Sequence, residues 1–303
     1  MTKRKRKLAK RIRRQPVISR LIGWSMIGIT KLACLLPYRW RVPVGGWVMG
    51  TLVAPLMGHR ARVRQNLSMI FPEMPESEKN ELARRVPRQI GRTLIEMLSP
   101  QDLIRVSEAA PLVGDGVAHV MAAKEAGQPI VFVSGHLGNY DVSRAAMIRR
   151  GFQVGALFRN MNNTTFNDYY VSKIEVVGTP LFARGRRGLA EMVKFLRQGN
   201  AVAIMVDQHV GGGAPLTFFG HTAYTALSAA EMAFKYNALL VPIYTIRQAD
   251  GLNFEILIEA PVPHTEPLEM TQKLNDSLEA QVRAHMEQWF WIHRRWKTLK
   301  RNG

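Results

Sequence analysis

Two long apolar stretches open the chain. Residues 17–37 (VISRLIGWSMIGITKLACLLP) carry only Arg20 and Lys31 as charges, and residues 42–58 (VPVGGWVMGTLVAPLMG) carry none. The first has about the length that crosses a bilayer, and its flanking Arg and Trp side chains suit an interface. Lys31 inside it, and the Gly and Pro residues of the second stretch, argue against two spans. The pattern therefore predicts a membrane-embedded or interfacial helical anchor over 17–58, with a helical hairpin buried in the protein itself as the competing reading. Residues 60–108 read as amphipathic helices, with breaks at Phe71-Pro72 and Pro100 and a kink or boundary at Pro87.

After Pro111 the pattern changes. The run 130–134 (IVFVS) is short and wholly apolar, as in a strand buried on both faces, and 201–206 (AVAIMV) repeats the signal. Further strands are predicted at 153–159, 180–183, 239–246 and 254–260. Helices are predicted at 138–150, 163–176, 189–197 and 228–237, with a long closing helix from about 270 to 291. Strands alternating with helices imply an α/β fold, a mixed, mainly parallel sheet flanked by helices. The expected organisation is a basic tail (1–16), an apolar membrane-associated segment (17–58) and a catalytic domain (59–303). That domain divides into a helical lead-in (59–110), an α/β core (111–263) and a C-terminal helix (270–298).

Charge sharpens the first part of this picture. The 303 residues carry a net charge of +19, but nine basic side chains and no acid lie within residues 1–14. Arg294, Arg295, Lys297, Lys300 and Arg301 add five more at the other end, leaving only +5 for the middle. Basic termini bind nucleic acid or anionic membrane through the same screened attraction. The apolar segment that follows favours membrane, with the basic start on the cytoplasmic face. One cysteine, Cys34, excludes a disulfide framework and a cysteine-based zinc site, and no cleavable signal peptide is evident.

Nucleotide and hydrolase signatures are missing: there is no P-loop, no dinucleotide fingerprint and no nucleophile elbow. Gly211-Gly212-Gly213 lacks the P-loop lysine and reads as a loop, and His209 and His221 lack a supporting ligand cluster. One constellation remains. Directly after IVFVS comes Gly135-His136-Leu137-Gly138-Asn139-Tyr140-Asp141, a histidine at the carboxyl end of a buried strand and an aspartate in the first turn of the next helix. Ligands of open α/β sheets bind at those strand ends. A carboxylate on one imidazole nitrogen fixes the tautomer and leaves the other free to accept a hydroxyl proton. Backbone N–H groups at Gly138 and Asn139 are candidates for holding an oxyanion. A structural His–Asp pair is the competing reading of these residues alone.

His136-x4-Asp141 resembles the HX4D/E block of the glycerolipid acyltransferase superfamily, and the rest of the chain resembles its bacterial lipid A branch, the late (secondary) acyltransferases of lauroyl and myristoyl type. Arg64 to Glu73 (RQNLSMIFPE) resembles that family's R-x-N-L-x-x-x-F-P-E segment, and Phe158-Arg159 its aromatic–Arg block. Asp207-Gln208 followed by Phe218-Phe219-Gly220 resembles its D-Q…F-F-G block, and QWFWIHRRWKT (288–298) its C-terminal signature. The likeness spans roughly residues 20–298.

The resemblance implies a membrane-associated O-acyltransferase at the cytoplasmic face of the bacterial inner membrane. It would move a fatty acyl chain from acyl carrier protein to a hydroxyl of a phosphorylated lipid A precursor in lipopolysaccharide biosynthesis. No cofactor and no metal are implied, because the thioester is already activated. His136 would deprotonate the acceptor hydroxyl and Asp141 would orient His136. Arg159 and Arg184 would bind lipid or carrier phosphates, and Asp207 and Gln208 would support the substrate site. The anionic membrane surface is the further implied partner, with no specific nucleic acid.

This sequence departs from the pattern at three points: Asp rather than Glu in the first block, Lys173 where some members carry Arg, and the heavily basic N-terminal extension. Two alternatives stay open. One is an acyltransferase of the same fold acting on another glycolipid or a lysophospholipid, with acyl-CoA as donor. The other is a non-catalytic basic protein that binds membrane or nucleic acid.

Overall fold

A computed structural model describes residues 16–297. The basic tract before Pro16 and the last basic residues, Lys300 and Arg301, lie outside the described residues. Helix α1 (Val17–Ala33) buries only Gly23, Ile27 and Thr30, a stripe one residue wide. That stripe lies on helix α8 (Thr164–Val177), where Asn163 Nδ2 donates to the Ser19 carbonyl at 2.6 Å. Helix α2 (Tyr38–Val48) passes through Pro43 into a π-helical turn, Met49–Val53. No helix among the described residues is long and apolar enough to cross a membrane.

The uncharged second stretch finds its partner inside the protein. Helix α3 (His59–Ile70) leads to α4 (Glu76–Met97), and α2 crosses α4 at Gly45 and Gly91. A Cβ on Gly91 would lie 2.4 Å from the Gly45 carbonyl oxygen, so the crossing exists only because both residues lack side chains. The inner face of 38–53 is thus buried in the protein itself, while the outer face is bare. Pro87, expected to kink or end a helix, sits buried in the middle of α4. Packing of α4 against both α2 and α3 outweighs the lost backbone bond.

Helix α5 (Pro100–Ala109) leads into the sheet, whose order is β1-β9-β8-β2-β5-β3-β4. The strands are β1 (Leu112–Val113), β2 (Ile130–Ser134), β3 (Val154–Phe158), β4 (Leu181–Ala183), β5 (Ala201–Met205), β8 (Leu239–Arg247) and β9 (Phe254–Ile258). Only β8 and β9 pair antiparallel; the other contacts are parallel, as the mixed, mainly parallel expectation requires. Strand β2 is buried along its whole length between β5 and β8, which explains its unbroken apolar run. Alternate residues of β2 serve opposite layers. Ile130 and Phe132 pack with α5, α6 (Gly116–Glu125) and α7 (Tyr140–Arg149). Val131 and Val133 pack with α9 (Arg186–Leu196), α10 (Ser228–Lys235) and α11 (Pro267–Ala284).

Two features differ from the sequence reading. An antiparallel hairpin, β6 (Ala214–Phe218) and β7 (His221–Thr225), stands where the sequence reading placed no element, with its turn at Phe219-Gly220. The closing helix ends at Ala284 rather than near residue 291. Beyond it Trp289, Trp291 and Trp296 are buried, and the Trp291 indole N–H donates to the Met286 carbonyl at 2.7 Å. Trp289 pairs antiparallel with Leu137. Buried indoles need acceptors as well as apolar surroundings, and a short bridge followed by turns delivers both here where a continued helix would not.

Candidate active site

The parallel strands β2, β5, β3 and β4 place their carboxyl ends along one edge of the sheet, which carries His136, Asp207, Arg159 and Arg184. Ser134 pairs with Met205, so the next residues of β2 and β5 leave the sheet side by side. His136 Nδ1 lies 2.8 Å from Asp207 Oδ1, and the His136 backbone N–H donates to Asp207 Oδ2 at 2.7 Å. The Trp289 indole N–H donates to the same Oδ2 at 3.0 Å. One carboxylate thus grips both the main chain and the ring of the histidine, while the C-terminal segment fixes the carboxylate.

Because a carboxylate faces Nδ1, that nitrogen carries the proton and Nε2 is the free acceptor. Tyr140 and Phe290 hold the ring at centroid distances of 5.0 and 5.8 Å. The imidazole is 21% exposed and its partner carboxylate only 3%, so the base is reachable and its orienting group is not. Burial disfavours charge on His136, but the Asp207 carboxylate outweighs it and raises the imidazole above its ordinary 6.5. Burial likewise opposes charge on Asp207; attraction to His136, with the ring, backbone and indole hydrogen bonds, overrides it and holds the carboxyl far below the usual range.

Asp141, the expected orienting carboxylate, makes no hydrogen bond to His136: its Oδ1 accepts from Arg144 Nε at 2.6 Å. Arg144 in turn donates to the carbonyls of Gly178 (3.1 Å) and Ile174 (3.2 Å), so the pair ties α7 to the end of α8. Both side chains are almost wholly buried, and Asp141 Oδ2 has no hydrogen-bond partner. The five-residue spacing that suggested a dyad instead places Asp141 one helical turn from its arginine.

The turn between β2 and α7 is pinned from three sides. Gly138 has φ +56°, and a Cβ there would lie 2.0 Å from the Thr245 carbonyl oxygen, so only glycine fits. Its N–H donates to the Gln288 carbonyl (3.1 Å), and its carbonyl accepts from Thr93 Oγ1 (3.0 Å). Gly138 is therefore not a free oxyanion donor, and Asn139, fully buried, does not expose its N–H to a substrate either. The Asn139 side chain caps α7 by accepting the Asp141 N–H at 3.2 Å.

Arg159 and Arg184 are exposed just beyond β3 and β4, where the Arg184 N–H donates to the Phe158 carbonyl at 2.8 Å. They share the sheet edge that carries the His136–Asp207 pair without touching that pair. Gln208 presents its carbonyl to Arg295 Nη1 at 3.4 Å. Arg295 is fully buried, donates to Tyr224 O (2.8 Å) and Thr225 Oγ1 (2.5 Å), and so fastens the hairpin beside the loop after Asp207. Burial lowers its guanidinium to about 10, against the pull of Asp207. Trp289 and Arg295 are the supports that residue-by-residue reading missed, and the QWFWIHRRWKT run was their only trace in the sequence.

Known proteins resemble this chain over nearly its whole length. Over 291 residues the chain is 24% identical to the lipid A biosynthesis lauroyltransferase of Escherichia coli (strain K12), covering 91% of this chain and 92% of that protein. It is 23% identical to the lipid A biosynthesis myristoyltransferase of the same strain, covering 91% and 87%. The lipid A biosynthesis acyltransferase of Haemophilus influenzae is 24% identical, covering 91% and 90%. Residues 9–298 match the family described as bacterial lipid A biosynthesis acyltransferase, and the chain belongs to that family.

Proposed function

We propose that this acyltransferase moves a fatty acyl group from acyl carrier protein to a hydroxyl of a phosphorylated lipid A precursor, with His136 as general base and Asp207 as its orienting carboxylate. His136 Nε2 takes the acceptor O–H proton as the oxygen attacks the thioester carbonyl carbon. The tetrahedral oxyanion collapses, the C–S bond breaks, and the thiolate leaves with the proton held by the imidazolium. Arg159 and Arg184, exposed on the same edge, are the candidates for phosphate contacts, since a guanidinium binds phosphate bidentately. The two-point grip of Asp207 on His136 carries this reading.

The N-terminal segment supplies the membrane face in this proposal. Sixteen of the twenty exposed large apolar side chains among the described residues fall between Val17 and Met57, including Trp24, Trp40 and Trp47. No Asp or Glu occurs before Glu73, whereas sixteen Lys and Arg do. A bare apolar face in a segment whose sequence is this basic suits an anionic bilayer surface entered in plane, at the cytoplasmic side of the inner membrane.

The test is labelled acyl transfer from a panel of acyl carrier proteins, and from acyl-CoA, to a tetra-acylated, Kdo-bearing lipid A precursor. Wild type should transfer from the carrier protein, and a folded His136→Ala variant should lose at least about a hundredfold in kcat. Transfer only from acyl-CoA, or only to a lysophospholipid, would replace the proposed substrates. Full activity of His136→Ala would remove the proposed base.

A further inference from the structure

Behind the catalytic turn lies a buried ionic cluster that acyl transfer does not itself use. Glu96, in the last turn of α4, is inaccessible to solvent. Its two oxygens accept from four donors. Arg247, at the end of β8, reaches Oε1 at 2.5 Å and Oε2 at 2.7 Å. Asn139 Nδ2 reaches Oε2 at 2.9 Å, and Tyr38 Oη reaches Oε1 at 3.4 Å. Arg247 lies over the Phe254 ring at 4.6 Å, and its backbone N–H and C=O are both held by the Gln288 side chain, at 2.8 and 3.0 Å.

A buried ion pair is a poor means of stabilising a fold, because desolvation offsets most of its attraction. This pair converges on one small target. Asn139 is itself fully buried, and its side chain is divided: Oδ1 caps α7, and Nδ2 is anchored to Glu96. Asn139 also follows Gly138, whose backbone is tied to Gln288 and Thr93, and lies three residues beyond His136. The rotamer of Asn139, and with it the anchorage of the turn between β2 and α7, is therefore set by Glu96.

We propose that Glu96 is a positioning residue for acyl transfer, holding the Asn139 side-chain amide, with Arg247 as clamp, so that the turn after His136 keeps the imidazole in place against the acceptor hydroxyl. This rests on His136 being the base of the proposed reaction. The informative variant is Asn139→Ser, which keeps an oxygen to cap α7 and deletes the donor to Glu96. It is compared in the full-length protein with Glu96→Gln and with the double variant.

Two readouts are taken: steady-state acyl transfer across pH, and hydrogen–deuterium exchange of residues 136–142. Each single variant should lower kcat roughly tenfold or more while KM for the acceptor stays within about threefold. The acidic limb of the pH profile should not move, because the His136–Asp207 contact is untouched. The double variant should be no worse than the poorer single one, since all three remove one interaction. Exchange in the turn should quicken at least about tenfold in Asn139→Ser, whether or not Glu96→Gln folds. Wild-type kcat in folded Asn139→Ser, additive losses in the double variant, or unchanged exchange would each overturn the proposal. An inactive wild type with quickened exchange in the variant would instead overturn the substrate reading and leave the anchoring in place.

Discussion

At the scale of single residues, the two aspartates of the site do different work, and pH separates them. His136 titrates above 6.5 because Asp207 favours its charged form. A base must be neutral to act, so activity should rise with pH through a midpoint above 6.5. Linkage runs the other way for stability. The His136 contribution is fully present below pH 6.5 and is lost as pH rises through the folded value; that of Asp207 is present above pH 3.8 and is lost as pH falls through its depressed value. Asp207→Asn should lower kcat by about 10² to 10⁴-fold and move the acidic limb to lower pH. A pH–rate profile of the folded variant measures both. Asp141→Asn should leave that limb in place and instead destabilise the fold by about 3–5 kcal/mol, by uncovering the buried Arg144 charge. Denaturant unfolding reads the loss, and a shifted limb in this variant would restore Asp141 as the partner of His136.

Elements decide whether such residues meet. Alanine normally gains about 1 kcal/mol over glycine inside a helix. At Gly91 the added Cβ meets the backbone of α2 at Gly45, which cannot swing aside as a side chain can. Overpacking of that kind costs about 1–3 kcal/mol, so Gly91→Ala should destabilise against the trend of propensity. Thermal unfolding should show a Tm lower by a few degrees; a higher Tm would mean that α2 shifts freely on α4. The same principle governs what was readable of the elements. Strands β2 and β5 were legible because a strand buried on both faces has no room for a polar residue. The β6–β7 hairpin was not, since His221, Thr222 and Thr225 carry no strong alternation and its burial comes from α11 and the tryptophans. Pro87 marks no helix boundary for the same reason: local preference lost to packing on two neighbours.

For the whole molecule, the separation between a catalytic sheet edge and a bare apolar segment makes membrane binding testable apart from chemistry. Leu21, Trp24 and Trp47 are each more than half exposed, so replacing all three with Ser should leave Tm nearly unchanged. At roughly 1 kcal/mol of transfer free energy per side chain, partitioning onto vesicles containing anionic lipid should fall by about a hundredfold. Deleting residues 1–14 should weaken binding most at low salt, where nine unscreened positive charges count fully, and should spare turnover of a detergent-solubilised substrate. Sedimentation with vesicles across a salt series checks both; salt-independent binding would remove the electrostatic share.

Composition, period and motif order determined by themselves the α/β class, the strand that delivers His136, the apolar and basic character of the N-terminal segment, and the family. Each is written in neighbouring residues or in an ordered set of short motifs. Only the tertiary structure decided which carboxylate serves His136. Asp141 is five residues away along the chain but is turned aside by its own helix to Arg144, whereas Asp207, seventy-one residues away, is brought alongside by parallel pairing of β2 with β5. The same holds for Trp289, Arg295 and Glu96. A hydrogen bond depends on distance and direction in space, and parallel sheet register sets both between positions that carry no mark of each other in the sequence.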